Sequence, residues 1–153
     1  MGLVKKEEYF MRKALELAQR ALDEEEVPVG CVIVYKEKVI AQAYNQVEKL
    51  KDSTAHAEMI ALTQAESFLQ SKWLKDCSVY VTIEPCLMCA VAISLCRVKE
   101  VIFGAPQPKT GGFGSLVDVN TLKISPKIKI KSGILEDDCR FLIQDFFKKR
   151  RVK

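Results

Sequence analysis

The stretch from residue 78 to residue 104 restricts the fold more than any other part of the chain. Residues 78–83, Ser-Val-Tyr-Val-Thr-Ile, are rich in β-branched side chains and stop at Glu84-Pro85, which predicts a strand ended by a proline. Proline is favoured at the first helical position, where its missing N–H is not needed, so Pro85 is expected to open a helix reaching about Leu95. Residues 100–104, Glu-Val-Ile-Phe-Gly, read as the next strand. A tight turn joins antiparallel strands, whereas a compact helical crossover joins parallel ones. The chain is therefore expected to be α/β, with at least one parallel strand pair.

The flanking sequence extends this frame. Between residues 7 and 22 the apolar positions Phe10, Met11, Ala14, Leu15, Ala18 and Leu22 follow a three-and-four spacing that lines one face of a helix. Residues 29–35 and 39–43, separated by Lys36-Glu37-Lys38, predict an antiparallel hairpin whose first strand opens at Val29-Gly30. Ser53 or Thr54 is expected to cap a helix running from Ala55 to about Leu69. Residues 106–115, with three glycines and two prolines, predict a loop too flexible to pack as an element, placed near the functional site. Residues 127–131 alternate Lys and Ile like an edge strand, and residues 136–149 put Cys139, Leu142, Ile143 and Phe146 on one face of a last helix. The architecture expected is a three-layer α/β/α arrangement, a mixed sheet of about five strands with helices on both faces. At 153 residues, nearly half of them hydrophobic, the chain is expected to form a single domain spanning residues 1–153.

No apolar run is long enough to cross a bilayer, and residues 1–12 alternate charged and apolar side chains instead of forming a signal peptide's apolar stretch. A cytoplasmic protein without membrane contact is expected. Six cysteines at uneven spacing do not suggest a disulfide framework, and outside Cys86 and Cys89 they read as small buried hydrophobes. The net charge is a modest +4, yet five of the last six residues are basic. Such a tail suits a polyanion and equally suits the negative end of a helix dipole.

Two short segments carry chemistry. Cys86 and Cys89 are three residues apart, so in a first helical turn their sulfurs share a side, and the helix N-terminus favours the thiolates that zinc requires. His56, the chain's single histidine, would add a third ligand, leaving tetrahedral zinc one position short of closure, as in catalytic sites. Water at such a position is acidified toward neutrality. Glu58, two residues after His56, could reach that water without being a ligand. Taken singly, Cys-x-x-Cys also fits a redox pair or half of a structural zinc site, His56 a helix-start side chain and Glu58 a solvated acid. Together, His-x-Glu and Pro-Cys-x-x-Cys form the signature of the zinc-dependent nucleobase deaminases.

The runs Thr54-Ala55-His56-Ala57-Glu58, Val81-Thr82-Ile83-Glu84-Pro85-Cys86-Leu87-Met88-Cys89, Phe103-Gly104-Ala105 and Lys109-Thr110-Gly111 resemble the bacterial tRNA adenosine deaminases of the cytidine/deoxycytidylate deaminase superfamily. The similarity extends from Val27-Pro28-Val29-Gly30 to Asp145-Phe146-Phe147. The resemblance implies a cytidine-deaminase-like fold and one Zn2+ per chain on His56, Cys86 and Cys89, with Glu58 as the general acid/base. It further implies a homodimer and a tRNA anticodon stem-loop as substrate, whose wobble adenosine becomes inosine. Asn45 matches a pocket residue expected to bind the target nucleotide, with Val29, Ala55, Glu84 and Lys109 as further substrate contacts. Phe147 and the cations after it match a C-terminal helix expected to lie against the RNA loop. Three stretches bordering the pocket depart from the family pattern: residues 46–51 lack an expected Arg-Pro, Ser53 stands where proline is common, and Pro106-Gln107-Pro108 replaces a more polar run. The rival readings are a deaminase of free bases or nucleosides such as guanine or cytosine, and a non-catalytic zinc protein that binds RNA. The second has no use for Glu58.

Overall fold

The computed structural model describes residues 2–152. Helix α1 (Leu3–Asp23) leads into β1 (Gly30–Tyr35) and β2 (Lys38–Tyr44), followed by a one-turn helix α2 (Val47–Leu50) and by α3 (Ala57–Leu69). Strand β3 (Cys77–Ile83), helix α4 (Leu87–Leu95) and strand β4 (Glu100–Ala105) come next, then a 3-10 turn (Val119–Leu122), β5 (Lys129–Ser132) and α5 (Glu136–Val152). The strands form one sheet in the order β2-β1-β3-β4-β5. The hairpin β1–β2 and the pair β1–β3 are antiparallel, and β3–β4 and β4–β5 are parallel. The crossover through α4 has thus produced the parallel pair expected of it, with Val79 opposite Val101 and Val81 opposite Phe103.

Alternation along the strands divides the interior into two cores. Cys31, Ile33, Val79, Val81, Val101 and Phe103 face one side, where they meet Ala57, Ala61 and Ala65 of α3 and Ala90 and Ile93 of α4. Val32, Val34, Tyr80 and Ile102 face the other, against Phe10, Met11 and Ala14 of α1 and Cys139 of α5. Successive side chains of a strand point to opposite faces, so a fully buried strand must be apolar on both. Cys31, Cys77, Cys96 and Cys139 are all free and buried. Among the described residues no helix is long and apolar enough to cross a membrane.

Three local expectations are corrected. Neither Ser53 nor Thr54 caps α3: Thr54 donates its amide and hydroxyl to Asp52 Oδ1 (2.8 and 2.7 Å), which closes a turn ahead of the helix, and His56 takes the N-cap position in an extended conformation. Pro85 does not open α4 either, since Cys86 is the N-cap (φ −68°, ψ 171°) and the helix begins at Leu87. The backbone around them is taken by a neighbouring segment, with Gly112 N donating to Pro85 O and Leu87 N to Thr110 O. That segment is the glycine-rich loop, which is packed in spite of its composition: Gly111, Gly112 and Phe113 are buried.

Helix α1 crosses β1 closely at Gly30, where an added Cβ would come 1.9 Å from Ala14 O and 2.7 Å from Ala18 N. Backbone atoms cannot rotate away as a side chain can, so Gly30→Ala should force α1 off the sheet and destabilise the fold by about 1–3 kcal/mol or more. Urea unfolding of the variant would show a lowered midpoint, and an unchanged midpoint would contradict this packing.

Candidate active site

The ends of three elements converge beyond the carboxyl end of β3. His56 stands at the start of α3, and Cys86 and Cys89 stand at the start of α4. His56 Nδ1 is 3.6 Å from Cys86 Sγ and 3.5 Å from Cys89 Sγ, and the three donor atoms all lie within 4.8 Å of one another. A tetrahedral zinc, about 2.3 Å from sulfur and about 2.0 Å from nitrogen, sets such ligands about 3.5 Å apart. The donor set fits that ion in chemistry and in spacing. Among the described residues these three make up the cluster, so a metal held by them keeps a fourth position open. Cys31 is a buried thiol whose ionisation burial pushes well up, so it stays protonated.

The charges are interlocked. A hydrogen bond from the Cys89 thiol holds Cys86 down at about 4 in spite of burial, and His56 adds to the effect. The same contact pushes Cys89 up, because its proton is shared with the Cys86 thiolate. His56 is raised by that thiolate in turn. A divalent cation among the three would take over the proton's place and leave both sulfurs as thiolates. Glu58, in the first turn of α3, is 3% exposed, and burial pushes its carboxyl up to about 7. It is therefore poised to gain or lose a proton near neutral pH, the property wanted of a general acid/base.

His56, Glu58 and Cys86 line a cavity of about 320 Å³, at the small end of the range for ligand pockets. Of the residues expected to touch substrate, Val29, Asn45 and Glu84 line it. Asn45 is buried and its backbone N–H donates to Val29 O at 3.1 Å, while its side-chain Oδ1 has no hydrogen-bond partner. A buried amide oxygen left unpaired is costly unless a ligand supplies the donor. The Glu84 carboxylate accepts from Gln107 N (3.1 Å), Phe113 N (3.0 Å), Ser115 N (3.1 Å) and the Ser115 hydroxyl. It is bound to the loop and not free for a substrate.

The structure does not bring Ala55, Lys109 or Phe147 to this cavity. Ala55 is buried with its carbonyl on Gln46 N, Lys109 is exposed on the loop, and Phe147 is 41% exposed beside Phe146. Arg150 of α5 reaches the cavity instead, its guanidinium lying 4.8 Å from the Phe146 ring centroid. The side chains of Arg151, Val152 and Lys153 lie outside the described residues.

Residues 4–105 match the family model of the cytidine and deoxycytidylate deaminase zinc-binding region. The chain belongs to this family. It is 43% identical to the tRNA-specific adenosine deaminase of Aquifex aeolicus (strain VF5) over 94% of its length and 95% of that protein. A solved structure from work on A-to-I editing by tRNA:A34 deaminases superposes with a TM-score of 0.84 at 36% identity, covering 88% of this chain and 98% of that one. The guanine deaminase of Nitrosomonas europaea superposes with a TM-score of 0.78 at 22% identity over 91% of this chain and 83% of that one, a likeness of fold.

Glu26 is a residue of the cavity wall that sequence reasoning passed over. It is buried, lines the cavity and accepts from Glu48 N (3.0 Å) and Lys49 N (2.8 Å), fixing α2 beside Asn45. Its neighbours Glu24 and Glu25 made it look like one more solvated acid, and no local signal separates it from them. Arg150 belongs to the run of cations that the resemblance sets against the RNA loop, and which of them reaches the cavity depends on how α5 docks.

The open three-ligand site predicts one zinc per chain in the purified protein, measured by inductively coupled plasma mass spectrometry. His56→Ala should reduce the content to a small fraction, whereas Cys31→Ala should leave it at one. Equal loss in both variants would make Cys31 a fourth ligand and close the site.

Proposed function

We propose that this chain hydrolyses adenosine to inosine at the wobble position of a tRNA anticodon, with His56, Cys86 and Cys89 as zinc ligands and Glu58 as the proton carrier. The observation that carries this reading is the open ligand set beside a buried carboxyl in a pocket of nucleobase size, in a chain so similar to a tRNA-specific adenosine deaminase. Zinc in this site supplies Lewis acidity at its open position, bringing the ionisation of water toward neutrality. Glu58 takes a proton from the attacking water and delivers it to adenine N1 as the new C6–O bond forms. It then takes the remaining hydroxyl proton and delivers it to the exocyclic amine, so that the C6–N bond breaks and ammonia leaves. Asn45 offers its unpaired Oδ1 to a donor on the bound nucleotide.

A base must be unstacked to enter this pocket, which favours a single-stranded loop. Lys148, Lys149 and Arg150 are exposed near the end of α5, and Arg150 at the cavity suits a phosphate or base of the same RNA. The basic end of α5 thus supports an anticodon stem-loop over a free base. A homodimer is part of this reading, supported by the apolar side chains that α3 and α4 leave exposed, Phe68, Leu87 and Leu95. The setting we assign is the cytoplasm, in keeping with six free cysteines. The buried, proton-ready Glu58 speaks against a purely structural zinc protein.

Glu58→Gln should keep its zinc and its unfolding midpoint while kcat falls by about 10²- to 10⁴-fold. Loss of metal, or retention of most activity, would remove Glu58 from the assigned role. Free adenosine and a short RNA hairpin with adenosine at the wobble position, assayed for inosine under identical conditions, test the substrate. The hairpin should have by far the larger kcat/KM, and its affinity should fall steeply with salt because bound cations release counterions from the phosphates. Comparable values for the two, or faster turnover of guanine, would overturn the tRNA assignment and leave the zinc chemistry standing.

A further inference from the structure

We infer that Glu84 is a positioning residue: its buried carboxylate locks the loop of residues 107–115 against the start of α4, and so sets the pocket wall relative to the metal ligands. The inference rests on the reading that this pocket receives the edited base.

Glu84 is 1% exposed and touches four donors from a segment more than twenty residues downstream. Gln107 N and the Ser115 hydroxyl meet Oε1, and Phe113 N and Ser115 N meet Oε2. A carboxylate is the one side chain that accepts on both of its terminal atoms, so neither amide nor hydroxyl can replace it here. The loop has no room to substitute for the anchor. A Cβ on Gly111 would come 2.3 Å from Glu84 Oε2, and one on Gly112 would come 2.6 Å from Ala90 Cβ.

Held in this way, the loop makes contacts in two directions. Toward the metal site, Thr110 O accepts from Leu87 N, Gly112 N donates to Pro85 O, and Gly111 bridges to Cys86. Toward the substrate space, Gln107 and Thr110 line the cavity. One anion thus fixes the N-cap that carries a zinc ligand and the wall that faces the base. Errors of about 1 Å in such a wall cost about 10²-fold in rate.

Glu84→Gln tests this selectively. Its amide group settles on the Oε1 side, where the Ser115 hydroxyl can reverse its role, and the Gln107 N–H alone is left facing a donor. In the zinc-loaded full chain, hydrogen exchange at the Gln107 amide should rise about tenfold, while Phe113 and Ser115 keep their protection. Zinc should remain at one per chain, and kcat on the RNA hairpin should fall about 10²-fold with KM little changed. Ser115→Ala removes one donor at an exposed position and should shift exchange and kcat in the same direction, to a smaller extent, which keeps the test decisive if Glu84→Gln does not fold. Unchanged Gln107 exchange would overturn the anchor, and a freed Gln107 with wild-type kcat would reduce Glu84 to a structural part. Exchange and zinc content are read without substrate. A wild-type enzyme inactive on the hairpin would therefore overturn the proposed function and leave the anchor to be judged separately.

Discussion

Parallel pairing of β3 with β4 forces the chain to cross over the sheet through α4, and that crossover places the start of a helix beyond the carboxyl end of β3. In open α/β sheets this edge is where ligands bind, because loops and helix N-termini collect there. Here the first residues of α4 carry Cys86 and Cys89, and the start of α3 arrives from the same side with His56 and Glu58. The cluster thus sits at two helix N-termini, a setting that favours thiolates, and Cys86 also accepts from the Cys89 backbone amide. The two apolar cores hold these helices in place, so the catalytic geometry depends on sheet packing at a distance from any ligand.

Three buried glutamates show how surroundings divide one side chain among different tasks. Glu26 is held by two backbone amides of α2, and Glu84 by four donors of the 107–115 loop. Several donors on one carboxylate hold it still, so these two serve as anchors. Glu58 instead lies beside sulfur and its own amide, and burial raises it to about 7. The carboxyl that burial raises is thus next to the metal ligands. The anchors then bring the elements bearing Asn45 and Gln107 to the edge of the same cavity.

Much was legible in the sequence by itself. Alternating apolar residues, helical spacing and the 78–104 crossover are local statements about which faces must be buried, and they determined the elements, the mixed sheet and its parallel pair. His56, Cys86 and Cys89 were legible as a metal-binding set because metal chemistry tolerates few donor types and spacings. The tertiary structure alone decided the rest. The N-cap at Cys86 follows from contacts of Pro85 and Leu87 with the loop, which reach across the chain, whereas the turn ahead of His56 is closed locally by Asp52 on Thr54. Glu84 lines the cavity as expected, but its carboxylate is held by four donors that lie far along the sequence. Glu26 and Arg150 enter the pocket, and Ala55, Lys109 and Phe147 stay out of it, because the direction of a side chain on a loop or a docked helix depends on what packs against it. Sequence spacing encodes periodicity within an element, whereas the meeting of separate elements is fixed by packing that no local pattern contains.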